Sequence, residues 1–130
     1  MIGRLAAWSG TALTLSLLLG CNTEKVPTLK EGFDKYNARQ VEESEAIADK
    51  IIAANPNAPT VDEAYYLRGL SRMTRNNRVG AAADLKEAIA RSQRTDLKAK
   101  AWRALGDLAY DQTKWDEAQK NYEQAIAVGG

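Results

Sequence analysis

"AWRALGDLAYDQTKWDEAQKNYEQAIAVG", Ala101 to Gly129, is two helical patterns separated by the polar break "DQTK". Beyond the break, Trp115, Ala118, Tyr122, Ala125 and Ile126 recur at spacings of three and four. That spacing lines one side of a helix and predicts a buried stripe. Before the break, Gly106 sits inside the other helical pattern, where glycine costs about 1 kcal/mol relative to alanine. Such a cost needs a packing reason. Ala118 lies 12 residues on, across the turn, and a bare backbone facing a small side chain lets two helices approach closely.

The same unit occurs three times. Gly32, Gly69 and Gly106 are spaced by 37, as are Ser44, Ala81 and Ala118. Ala48, Leu85 and Tyr122 follow that offset, with Ile51, Ala88 and Ala125, then Ile52, Ile89 and Ile126, and Tyr36, Met73 and Tyr110. The second helices begin after "NARQ", "RNNR" and "DQTK", and those of the first two units carry the stripes Val41, Ala48, Ile51, Ile52 and Ala81, Leu85, Ala88, Ile89. Thr28 with Glu31, and Thr60 with Glu63, have the spacing of capping boxes, and Thr95 or Asp96 is placed to cap the third unit. "NPNAP", Asn55 to Pro59, ends the first unit, because proline does not continue a helix. The expected fold is all-α, a solenoid of three antiparallel helix pairs over 28–60, 61–97 and 98–130. Stacked pairs bury a continuous core that no single pair could bury.

At Trp102, Leu105, Gly106, Ala109, Trp115, Ala118, Tyr122 and Ala125 the opening stretch resembles the tetratricopeptide repeat. Tyr65, Gly69, Ala81, Leu85 and Ala88 carry the resemblance in the middle unit, and Gly32, Ser44, Ala48, Ile51 and Pro56 carry it in the first. It covers residues 28 to 130. The chain departs from the family in its period of 37, against about 34 in the family. It also lacks a linking proline after the second unit and has Arg72 where an apolar side chain is expected. The resemblance implies a concave groove lined by the first helix of each pair and used to hold a peptide or partner protein. The columns facing it are Leu29, Phe33 and Tyr36; Tyr66, Leu70 and Met73; and Arg103, Asp107 and Tyr110. Each of these side chains has packing between helices as its alternative role.

Charge is divided by unit. Residues 31–63 hold 3 basic and 8 acidic side chains, net −5; residues 64–103 hold 10 and 3, net +7; residues 104–130 hold 2 and 5, net −3. Arg68, Arg72 and Arg75 lie at i, i+4 and i+7, one face of a helix. This basic strip has two readings: it receives an acidic segment of a partner, or it pairs with the acidic neighbouring units and sets their stacking. The pattern does not reproduce the basic clamp of chaperone-binding repeat proteins.

The amino terminus carries an address. Leu5 to Leu19 is uncharged, preceded by Arg4, and shorter than the roughly 20 residues of a membrane-spanning helix. A basic start, an apolar middle and a small-residue exit describe a signal peptide. "LLGC", Leu18 to Cys21, resembles the lipobox of bacterial lipoproteins, which implies cleavage after residue 20 and lipid on Cys21. Residues 21–27 are then lipidated cysteine and tether. Several acyl chains on one residue give stable anchoring. Asn22 is not the aspartate that retains enterobacterial lipoproteins in the inner membrane, so the expected location is the periplasmic face of the outer membrane.

The inventory narrows the chemistry. There is no histidine and one cysteine, which removes structural zinc sites, imidazole–metal sites and histidine-dependent triads. The carboxylates sit in stretches such as "VEESEAIADK", which read as solvated helix faces. No catalytic residue, metal site or cofactor is expected. Beyond residue 20 there are 17 basic and 17 acidic side chains, unlike the basic excess of nucleic-acid binders. The terminal "AVGG" follows the last helix without a polar capping helix, so that face is expected to be covered by a partner, by self-association, or by further chain in a longer protein. Function therefore reads as a non-enzymatic, lipid-anchored adaptor of the cell envelope, by analogy with envelope-protein and pilus assembly lipoproteins. A self-associating structural subunit is the alternative, and an accessory domain of a longer protein is a third reading.

Overall fold

The computed structural model describes residues 24–129. Along them run six helices: α1 (Leu29–Asn37), α2 (Val41–Ala54), α3 (Val61–Thr74), α4 (Arg78–Arg91), α5 (Thr95–Asp111) and α6 (Trp115–Gly129). Each helix packs on the next, and the first helices of the pairs also meet, α1 with α3 and α3 with α5. This is the all-α helical solenoid of three pairs.

The turn inside each pair has one construction. Arg39, Asn76 and Thr113, spaced by the repeat period, have φ of 67°, 64° and 59°. The next residue then donates five residues back: Gln40 N to Lys35 O at 2.9 Å, Asn77 N to Arg72 O at 2.8 Å, and Lys114 N to Ala109 O at 3.0 Å. This left-handed helix ending reverses the chain while satisfying carbonyls the helix leaves orphaned.

Helix starts agree less well with the sequence reading. At α1 the capping box forms: Thr28 Oγ1 accepts from Glu31 N at 3.2 Å, and Glu31 Oε2 accepts from Thr28 N at 2.7 Å. The box expected at Thr60 and Glu63 does not form. Thr60 has ψ of 5° and makes no side-chain cap bond; Asp62 Oδ1 takes the Glu63 N–H at 2.9 Å. Neither Thr95 nor Asp96 caps α5. Both lie within the helix, whose N-cap is Arg94, and Ser92 Oγ accepts from Arg94 N at 3.1 Å. Helix α5 thereby starts inside the stretch assigned to the second unit and reaches 17 residues, against 14 for α3.

The main apolar cluster lies between the second and third units: Leu85, Ala88, Ala101, Ala104 and Leu105, flanked by Tyr65, Tyr66 and Trp102. The glycine columns mark close approaches, with a correction to the partner. A Cβ on Gly106 would lie 2.5 Å from the Tyr122 ring, and one on Gly69 would lie 2.9 Å from Leu85. A larger side chain one turn beyond Ala118 or Ala81 fills the space that the glycine leaves. The stripe on α6 is a second correction. Ala118 is buried and Tyr122 and Ala125 are half-buried, but Trp115 is 56% and Ile126 72% exposed.

Candidate functional site

Side chains from the first helices of neighbouring units meet around one cavity. Phe33 and Tyr36 of α1 and Tyr66 and Leu70 of α3 line a cavity of about 310 Å³. All four are half-buried, fixed by the fold yet open to a ligand. Burial, reinforced by Tyr36, raises the Tyr66 phenol above its ordinary pKa although Arg103 works against it. Tyr66 is therefore a neutral hydrogen-bonding tip on an aromatic wall. The Tyr36 and Thr74 hydroxyls lie 3.4 Å apart, joining the far ends of α1 and α3.

The groove mouth holds residues that the sequence reading missed: Asn37, Glu63, Arg94, Leu97 and Lys100. The last three are brought there by the extra first turn of α5. Arg94 bonds Glu63 and holds Asp96 Oδ2 at 2.8 Å, while Lys100 has no carboxylate within ion-pair distance among the described residues. The missed signal was the helix-forming run "TDLKAKAW", read as a cap followed by a helix start.

Five other predicted groove residues do not line this cavity. Met73 is half-buried and Arg103 exposed. Asp107 accepts from the Tyr122 hydroxyl at 2.7 Å, which pushes the Tyr122 phenol up to about 12. Tyr110 packs edge-to-face on Trp115, ring centres 5.0 Å apart. Asp107 and Tyr110 thus take up the intra-unit packing that was their alternative role. Leu29 is half-buried at the start of α1 and is likewise outside the cavity.

Of the two readings of the basic strip, the geometry gives the second. Arg68 grips Asp84 of α4 through two nitrogens, Nε to Oδ2 at 3.0 Å and Nη2 to Oδ1 at 2.8 Å, and reaches Asp49 of α2 at 2.8 Å. Arg72 bridges Asp84 at 2.8 Å and Glu45 at 3.1 Å. Arg75 continues to Glu45 and, at 3.7 Å, to Glu42. Guanidinium and carboxylate alternate along a ladder tying α2, α3 and α4 together, and every arginine of the strip already donates to a carboxylate of this chain. Burial acts to raise Glu45, but hydrogen bonds from Arg75 and Arg72 outweigh it and hold the carboxyl below its ordinary pKa. Burial likewise opposes the charge on Arg68, yet Asp84 and Asp49 raise its pKa above the ordinary value. Asp84 is 4% exposed, so its stability in the interior depends on this full set of donors. Behind the ladder, Ser44 Oγ donates to Gly32 O at 3.0 Å, and Ser71 Oγ lies 3.1 Å from Ser44 Oγ and 2.9 Å from Leu67 O.

The YfiO profile, described as outer membrane lipoprotein, matches residues 24–101, which spans the ladder, the apolar groove and the start of the third unit. The chain belongs to the YfiO family. The tetratricopeptide repeat profile matches residues 99–128, the helix pair α5–α6. No curated protein matches the chain. YfiO membership and the repeat together make this a protein-interaction scaffold type, non-catalytic as a class and associated with the outer membrane of the cell envelope. Cys21 and the leucine run lie outside the described residues. Among the described residues no helix is long and apolar enough to cross a membrane.

Proposed function

We propose that this protein is a non-enzymatic adaptor, held by lipid on Cys21 at the periplasmic face of the outer membrane, whose concave groove grips a segment of a partner in envelope-protein or pilus assembly. The observation that carries the reading is the groove itself. Phe33, Tyr36, Tyr66 and Leu70 come from two units, so the surface exists only in the stacked solenoid. Half-buried aromatic and aliphatic side chains are the usual energetic anchors of protein recognition. Residues 1–20 act as the cleaved signal and 21–27 as the tether.

Two measurements test it. Intact mass and membrane fractionation of the full chain, beside Cys21→Ser, should show a diacylglycerol-modified product starting at residue 21 that the serine variant loses; an unmodified soluble product refutes the anchor. Photo-crosslinking from position 66 in cells should then yield one partner band absent when the probe sits at Lys120 on α6, and equal yields from both positions refute the groove. A second reading, self-association, rests on Trp115 and Ile126, exposed at 56% and 72%. Sedimentation on dilution separates the two, since a self-stacking array stays associated without any second protein.

A further inference from the structure

On the opposite side of α5 from the groove lies a larger cleft, about 480 Å³, bounded by α4, α5 and α6. Its lining has a history in the repeat. The ladder at the first seam consists of Glu42, Glu45 and Asp49 on α2, Arg68, Arg72 and Arg75 on α3, and Asp84 on α4. One period of 37 residues later these positions are Val79, Ala82 and Lys86, then Leu105, Ala109 and Gln112, then Asn121. Every one of them lines the cleft. Where the first seam fills its outer side with seven long charged side chains, the second has mostly short or apolar ones on the same backbone, and the volume stays open.

What the cleft presents is specific. Val79 is 85% exposed at its edge, and Trp102 and Leu105 form an apolar floor. Among the described residues Arg78 and Lys86 have no carboxylate within ion-pair distance, and Lys114 reaches Glu117 only at 4.0 Å. Three cations and one carboxylate thus border the opening. At the first seam carboxylates on one helix meet cations on the other; here cations outnumber the single carboxylate, Glu117.

From this we infer that the cleft is a second docking site, distinct from the concave groove, for a peptide segment of a partner protein carrying aliphatic side chains flanked by carboxylates. The aliphatic groups cover Val79 and Trp102, removing apolar surface from water. The carboxylates meet Arg78, Lys86 and Lys114, an arrangement that sets orientation and rejects basic segments. Gln112 and Asn121 offer amide hydrogen bonds to the peptide backbone.

The test uses the full chain and a fluorescein-labelled helical peptide with leucines along one side and glutamates on both flanks, followed by fluorescence polarisation. Its comparison peptide has lysine in place of each glutamate. Val79→Glu with Gln112→Arg transplants an outer pair of the ladder into the cleft at exposed or half-exposed positions; Ala82→Glu with Ala109→Arg transplants an inner pair. Either double variant should weaken the glutamate peptide about tenfold or more, the scale of one lost anchor contact, while circular dichroism stays helical. The lysine peptide should bind at least about tenfold more weakly to the parent chain. Lys30→Ala, exposed on α1 and outside both cavities, should change neither. The inference is overturned if the parent chain fails to bind the glutamate peptide, if the lysine peptide binds equally, or if the rim double variant folds and binds unchanged. It is also overturned if sedimentation shows a dimer that Val79→Glu with Gln112→Arg dissociates, since the occupant is then a second copy of this chain.

Discussion

Between α2 and α3, Glu45 faces Arg72; at the equivalent positions between α4 and α5 stand Ala82 and Ala109. Further along, Ser44 and Ser71 meet at 3.1 Å in the first seam, where the second has Ala81 and Leu108. The helices and their turns repeat, but the chemistry between the units is inverted. The first seam adds charges and hydroxyls, each dependent on a named partner, to the packing of Leu67 against Gly32, and the second is held by apolar burial around Leu85 and Leu105. A solenoid tolerates this because each unit contacts only its neighbours, so one interface can change character without reconciling with the other. Specificity differs as well: a ladder of ion pairs with fixed partners accepts one register, whereas apolar packing tolerates substitution of similar volume.

The strongest way to break the first seam is Asp84→Ala. It leaves Arg68 and Arg72 beside an apolar gap, and the expected cost is about 3–5 kcal/mol, read from the urea unfolding midpoint. Leu105→Ala probes the second seam and should cost about 2–4 kcal/mol, with the same loss at acidic and neutral pH. A loss at Leu105 that tracks pH would contradict the division between seams. Glu45→Gln sharpens the contrast more gently, at about 1 kcal/mol at pH 7 for a partly exposed pair. Its sign with pH follows from the depressed pKa. The stabilisation is present above the ordinary carboxyl value of 4.5 and is lost as pH falls through the lower folded value. Melting curves of parent and variant should therefore converge in acid, and a constant gap would show that Glu45 acts through packing alone. Smallest is Thr113→Gly in the third turn, where a β-branched residue sits at φ of 59°. Removing its side chain should raise stability by about 0.5–1 kcal/mol, whereas Asn76→Gly should change little because asparagine tolerates that conformation.

The fold was legible because duplication multiplies weak signals: Gly32, Gly69 and Gly106 are ambiguous singly and decisive in register. Pairing of the arginine strip was also within reach, since charge segregation offered Glu42, Glu45 and Asp49 as partners. The groove mouth was not. Arg94, Leu97 and Lys100 reach it only because α5 begins a turn early, and competition for helix caps is settled by backbone angles that composition does not record. Trp115 and Ile126 show a different limit. Periodicity tells which side of α6 is apolar, not whether a neighbouring element lies against it. The cleft escaped notice for a third reason: it consists of side chains that are short or apolar where the preceding repeat has long charged ones, visible only once the ladder had been seen.

The left-handed turns at Arg39, Asn76 and Thr113 also have a mechanical meaning. Each is closed by main-chain hydrogen bonds that side-chain substitution leaves in place, so the two helices of a pair form a stiff link. A force applied along the array is then transmitted through stiff links in series, and deflection concentrates at the two joints between them. Ion pairs cross one joint and an open cleft lies beside the other, so the two joints differ in what resists bending.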